Sequence, residues 1–144
     1  NRVTTKKTAQ KPTILVCDDD TLFAQAVDLV VGDAYHVLVS HTSAQAAQIL
    51  KSSSVDVLLL DIQLQHSDEG IRKIPEFLSI DPDLSIVMLS GLSSFETVRD
   101  AMRAGAVDYV RKDLIHEDLL LTLARVSDRK SLAQAKRQSS MEVA

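Results

Sequence analysis

Short apolar runs alternate with helical stripes along most of this 144-residue chain. Ile14-Leu15-Val16-Cys17 is continuous and apolar, as suits a strand buried on both faces. Phe23, Ala26, Val27 and Val30 follow at helical spacing, behind an Asp20-Thr21 pair able to cap a helix. Tyr35 to Val39 reads as a second strand. Thr42-Ser43-Ala44-Gln45 has capping-box spacing and opens a helix with Ala46, Ala47 and Leu50 inward. Val55 to Leu60 is the most hydrophobic strand, broken by Asp61. Ile71, Ile74 and Leu78 mark a helix that ends before Asp81-Pro82, and Ile86 to Leu89 a strand that ends at Ser90-Gly91. Ser93-Ser94-Phe95-Glu96 is a second capping box, with Val98, Ala101 and Met102 as the buried stripe and Gly105 as the stop. Ala106 to Val110 makes a fifth strand, ending at Arg111-Lys112-Asp113. From Ile115 onward the pattern is helical, with Leu119, Leu123 and Val126 on one face.

Five strands alternating with five helices predict an α/β fold: a doubly wound, five-stranded parallel sheet in a three-layer, flavodoxin-like sandwich. Such a sheet places its ligand crevice at the carboxyl ends of the strands, beside the point where strand order reverses. The residues that end the strands therefore matter most. Strand one ends in Asp18-Asp19-Asp20, strand three in Asp61, strand four in Ser90 and strand five in Lys112. Strand two ends in Ser40-His41, which offers no comparable signal. In the order 2-1-3-4-5 the other four ends are consecutive neighbours and converge.

Clustered carboxylates repel unless a cation joins them. Oxygen ligands without nearby His or Cys favour Mg²⁺ or Mn²⁺ over zinc or copper. A hydroxyl and an ammonium opposite can hold an anion's oxygens. The combination suits a phosphoryl group, with an Asp oxygen able to act as the nucleophile.

The runs ILVCDDD, VDVLLLDIQL, MLSG and GAVDYVRKD resemble the receiver domain of bacterial two-component response regulators, the chemotaxis-regulator (CheY-like) fold. The resemblance covers residues 13 to about 126, and the separations of 29 residues from Asp61 to Ser90 and 22 from Ser90 to Lys112 agree with it. It implies that Asp61 is the phospho-acceptor, and that Asp18 and Asp19 are the metal-binding pair, with Asp19 the more direct ligand. It implies that the backbone carbonyl of Gln63 completes the Mg²⁺ site. Ser90 is the hydroxyl that closes onto the phosphoryl group, Lys112 its ion-pair partner, and Tyr109 the aromatic switch. Gln63 and Leu92, two residues past Asp61 and Ser90, tune the phosphoryl lifetime in that family.

Three departures accompany the match. Gln65 stands where the family has a proline, and Gly70 lies nine rather than eight positions after Asp61. Asp113 replaces the proline after the lysine, where a non-Pro cis bond would cost about 3–4 kcal/mol.

Blander roles compete at several positions. Asp20 serves first as a helix cap. His66 reads as a solvated loop residue, and His36, His41 and His116 form no ligand spacing. Cys17 reads as a small buried apolar residue.

The net charge of −4 conceals a segregation: residues 1–12 carry +4, residues 13–124 carry −11 and residues 125–144 carry +3. We read 1–12 as a flexible basic tail, 13–126 as the receiver domain and 127–144 as a helical extension or linker. An acidic body argues against nucleic-acid binding by this segment. No apolar run approaches the roughly 20 residues of a membrane span, and a lone cysteine suits a reducing cytoplasm.

The expected function is a phosphorylation-controlled signalling switch rather than a turnover enzyme. Its phosphodonor is a histidine kinase or phosphotransfer protein. An output domain, a partner protein or a second copy meets the face of the fourth helix, fifth strand and fifth helix. Two alternatives are a non-phosphorylated interaction module, suggested by Gln65 and Asp113, and a haloacid-dehalogenase-type phosphohydrolase. The latter rests on Asp18-Asp19-Asp20-Thr21, leaves Asp61 unexplained and needs a longer chain.

Overall fold

The computed structural model describes residues 11–64, 68–91 and 95–143, with side chains described through 138. Gln65, His66, Leu92 and the Ser93-Ser94 half of the second capping box lie outside the described residues, as does most of the basic tail.

The five strands are β1 (Thr13–Cys17), β2 (His36–Ser40), β3 (Val57–Asp61), β4 (Ser85–Ser90) and β5 (Asp108–Arg111). They pair in parallel in the order β2-β1-β3-β4-β5, as the alternation predicts. The helices are α1 (Thr21–Val31), α2 (Ser43–Ser52), α3 (Glu69–Arg72), α4 (Ile74–Ile80), α5 (Phe95–Ala104) and α6 (Ile115–Val143).

Side chains alternate across the sheet, so each strand feeds two cores. Leu15, Cys17, Leu58, Leu60, Ile86 and Met88 pack with Ala46, Ala47 and Leu50 of α2, Ile74 and Phe77 of α4, and Ala101 of α5. Ile14, Val16, Val57, Leu59, Val87, Leu89 and Val110 pack with Ala24, Val27 and Val31 of α1 and Ile115, Leu119, Leu123 and Val126 of α6. Asp61 continues the parity of Val57 and Leu59 beyond the last apolar position.

Some details differ from the sequence reading. The buried stripe of α1 is Ala24, Val27 and Val31, with Phe23, Ala26 and Val30 on its flank. The helix expected over Ile71 to Leu78 is broken at Lys73, because Pro75 in the first turn of α4 lacks the N–H that would continue α3. Met102 is exposed; in α5 only Ala101 is fully buried. The fifth strand starts at Asp108, because Ala106 N–H still donates to Ala101 O and Val107 N–H donates to Ile86 O. Lys112 accordingly begins a 3₁₀ turn, Lys112–Leu114. Gly105 stops α5 at φ 129°, and a Cβ there would meet Leu78 Cδ1 at 2.6 Å.

The last helix runs unbroken through residues 127–143. Arg129 pairs with Asp108 at 3.2 Å, and Lys130 Nζ reaches Asp56 O at 3.5 Å. Among the described residues, no helix is long and apolar enough to cross a membrane.

Candidate functional site

Three strands end in carboxylates or their partners at the same edge. Asp18, directly after β1, is fully buried. Its Oδ1 accepts the Asp20 N–H at 2.9 Å, and its Oδ2 lies 2.7 Å from Lys112 Nζ. Among the described residues this ion pair is the one contact made by the buried Oδ2. Asp61, at the end of β3, is 6% exposed. Its Oδ1 accepts the Gln63 N–H at 3.0 Å and its Oδ2 accepts from Lys112 Nζ at 3.2 Å. Asp19 is exposed, with a carboxylate oxygen within 4.8 Å of those of Asp18 and Asp61. Among the described residues this trio alone brings three His, Cys, Asp or Glu ligand atoms so close together.

Asp20 stands apart from the trio. It is the N-cap of α1, its Oδ1 accepting the N–H groups of Leu22 and Phe23 at 3.0 and 3.4 Å.

Three carboxylates face one ammonium. Burial raises the Asp18 pKa, and the neighbouring Asp61 charge adds to the effect against the opposing pull of Lys112 and the Asp20 N–H. At Lys112 burial works downward, but the Asp18 and Asp61 carboxylates outweigh it and the pKa is raised. Three clustered acids against one ammonium leave an excess of negative charge. A divalent cation would relieve it, and the all-oxygen donor set suits Mg²⁺. A cavity of about 260 Å³, lined by Asp19, Asp20, Asp61, Gln63, Gly91 and Lys112, opens over the trio. A larger groove of about 460 Å³ lies away from these residues, between Asp56, Asp81 and Lys130, and none of the expected site residues lines it.

The remaining expected residues are placed as follows. Ser90 ends β4 and is 3% exposed; its hydroxyl donates to Gly91 O at 3.4 Å. Tyr109 lies on the edge strand β5 and is 44% exposed. Asp113, in the position of the family proline, forms a forked ion pair with Arg111 at 3.1 and 2.7 Å. Cys17 is buried beneath the site, its Sγ 3.6 Å from Thr42 O, and burial pushes its thiol up to about 12.

Three residues assigned elsewhere by the sequence also reach this region. The Phe23 ring lies under Lys112, with Nζ 4.9 Å from the centroid, a cation–π contact. Gly70 abuts the Asp61 backbone so closely that a Cβ would stand 2.2 Å from Asp61 O. His41 Nδ1 lies 3.1 Å from Asp18 O. Only Gly70 left a sequence signal, its unusual spacing from Asp61.

The family model described as the response regulator receiver domain matches residues 14–124. The chain belongs to that family. It is 31% identical over 112 residues to the transcriptional regulatory protein ZraR of Klebsiella oxytoca, covering 77% of this chain and 25% of ZraR. The NtrX crystal structure from Brucella abortus, in complex with ADP, superposes with a TM-score of 0.81 at 28% identity, covering 91% of this chain and 30% of NtrX. A response regulator from Burkholderia pseudomallei, crystallised with a phosphorylated aspartic acid, calcium ion and citrate, superposes at 0.72. It is 25% identical, and the match covers 88% of this chain and 73% of that one. This receiver thus spans about a quarter of the length of the curated relatives it matches.

As a receiver it is a signalling domain of a two-component system, and its buried aspartate cluster fits the family's phosphorylation site. Neither the phosphohydrolase nor the non-phosphorylated module is favoured.

Proposed function

We propose that Asp61 accepts a phosphoryl group from a phosphohistidine on a histidine kinase or phosphotransfer protein. One observation carries this reading: the Asp61 carboxylate lies within 4.8 Å of Asp18 and Asp19 and 3.2 Å from Lys112 Nζ. An Asp61 oxygen attacks phosphorus, the P–N bond breaks, and the imidazole leaves with the electron pair and takes a proton from solvent. Lys112 stays paired with the oxygens that gain charge. Gln63 N–H holds Oδ1, which leaves Oδ2 on the side of the ammonium. Water later forms the new bond to phosphorus as the bond to Asp61 breaks, so the domain catalyses only its own phosphorylation and dephosphorylation.

Asp18, Asp19, Asp61 and the Gln63 backbone carbonyl hold Mg²⁺, or Mn²⁺, in this reading. The ion supplies neutralisation of the acid cluster and of the incoming phosphoryl oxygens. The calcium ion and phosphorylated aspartic acid of the Burkholderia regulator support the same chemistry on these residues. Ser90 exchanges its bond to Gly91 O for a phosphoryl oxygen, and Tyr109 changes rotamer with it. The face of α5, β5 and α6 then alters its affinity for an output domain, a partner protein or a second copy. Residues 13–126 are the receiver and 127–144 a helical extension or linker, consistent with α6 unbroken to Val143 and with relatives of which the matched segment is about a quarter. The protein works in the bacterial cytoplasm, and this segment binds neither nucleic acid nor membrane.

The test is Mg²⁺-dependent incorporation of acetyl phosphate or beryllofluoride, followed by intact mass and by amide shifts at Ser90 and Tyr109. Wild type should respond and Asp61→Asn should not. Equal incorporation by both would overturn the assignment.

A further inference from the structure

Strand β2 supplies no acid to the site, yet its end holds both backbone polar groups of Asp18. Asp18 N–H donates to Ser40 O at 3.1 Å, and His41 Nδ1 lies 3.1 Å from Asp18 O. A carbonyl oxygen only accepts, so this contact requires the proton on Nδ1 and, in the neutral ring, leaves Nε2 bare. The His41 backbone is itself anchored. His41 N–H donates to Gln45 Oε1 at 2.7 Å, and Gln45 N–H donates to Thr42 Oγ1, the N-cap of α2, at 3.1 Å. Ser40 Oγ in turn donates to Val16 O at 3.1 Å. An unbroken set of hydrogen bonds therefore runs from the start of α2 to the carbonyl of Asp18.

That carbonyl belongs to the rigid peptide plane that joins Asp18 to Asp19. The Asp18 side chain is held independently, by the Asp20 N–H and Lys112. Among the described residues the exposed Asp19 has no comparable side-chain anchor, so the peptide plane before it sets the Cα position and bond direction from which its carboxylate reaches the site. We propose that His41 is a positioning residue that aims Asp19 at the metal site by fixing the Asp18–Asp19 peptide plane through its Nδ1–H. The inference rests on reading Asp18 and Asp19 as metal ligands. Groups that orient a metal's ligands from outside commonly change affinity by 10–100-fold when removed.

Two variants and a spectrum test it. His41→Asn returns an N–H close to the position of Nδ1, whereas His41→Leu keeps bulk without a donor. Mg²⁺ titrations at pH 8, read from amide shifts around Asp61, should show about tenfold weaker binding for His41→Leu. His41→Asn should bind close to wild type. The long-range ¹H–¹⁵N spectrum of the wild-type imidazole should show protonated Nδ1 and bare Nε2. An Nε2–H tautomer, or a folded His41→Leu that binds Mg²⁺ as tightly as wild type, overturns the inference. If His41→Leu fails to fold, a His41→Asn variant that binds about tenfold more weakly than wild type also overturns it. Failure of the wild-type protein to bind Mg²⁺ would instead overturn the ligand assignment of Asp18 and Asp19, and this inference with it.

Discussion

Gly70 offers a sharp test, because two general effects oppose each other there. It sits inside the short helix α3, where replacing Gly by Ala ordinarily gains about 1 kcal/mol from lower backbone entropy and better helix propensity. Its missing Cβ, however, would lie 2.2 Å from Asp61 O and 3.3 Å from both Asp61 C and Ile62 O. All three obstacles are backbone atoms, so no rotamer change relieves the contact. Restoring an ordinary carbon–oxygen separation requires either α3 or the Asp61 peptide to move by about 1 Å. Overpacking of this kind typically costs about 1–3 kcal/mol, and backbone obstacles place Gly70→Ala toward the upper end. The steric effect should therefore win, for a net loss of about 1–2 kcal/mol. Because Ile62 N–H also donates to Leu89 O at 3.0 Å, moving the Asp61 peptide would disturb the acceptor as well. Urea denaturation measures the first effect, as a lower midpoint at unchanged slope. Beryllofluoride titration measures the second, as weaker uptake. A Gly70→Ala variant as stable as wild type or more so would show that propensity wins, and the close approach to Asp61 would be refuted.

Asp18 has a folded pKa above its usual 3.8, so the fold favours the protonated acid. Its contribution to stability is complete below about 3.8 and is lost as the pH rises through the folded value. In EDTA at pH 7, Asp18→Asn should therefore melt higher than wild type while losing Mg²⁺ affinity, and the gap in melting temperature should shrink toward pH 4; a lower-melting Asp18→Asn would contradict this. Cys17, with its thiol pushed up to about 12, should resist a disulfide reagent at pH 8 in the native protein and react with one equivalent in guanidinium. Rapid native reaction, followed by absorbance, would count against that burial.

The strand ends were legible because they rest on local arithmetic. Asp61 closes a run of four apolar residues, Val57 to Leu60, and Asp20 precedes Thr21 with nothing apolar between β1 and the helix. Both therefore fall at the sheet edge from chain order alone; the capping role of Asp20 follows from its own position, and the role expected of Asp61 comes from the family resemblance. What stayed hidden depends on residues distant in the chain. Phe23 satisfies a helical stripe equally well as core or as a ring under Lys112, 89 residues away. His41 has no partner at ligand spacing, since its contact is with a backbone carbonyl, which carries no residue identity. Met102 fits the periodicity of α5, but the partners that would cover that side do not reach it. The break at Lys73 has a local signal in Pro75, which the spacing of Ile71, Ile74 and Leu78 does not carry.

The continuous last helix has a consequence in rotation. Ile115, Leu119, Leu123 and Val126 fix which side of α6 faces the sheet, and Arg129 and Lys130 hold the next turn against the body of the domain. Past Lys130 the described side chains are exposed, yet the backbone stays helical to Val143. Each residue advances the helix by about 100°. The azimuth of anything carried at the far end is thus set in the core. Inserting one residue after Lys130 would turn that cargo by about 100°, whereas inserting seven would return it to within about 20° of its original direction.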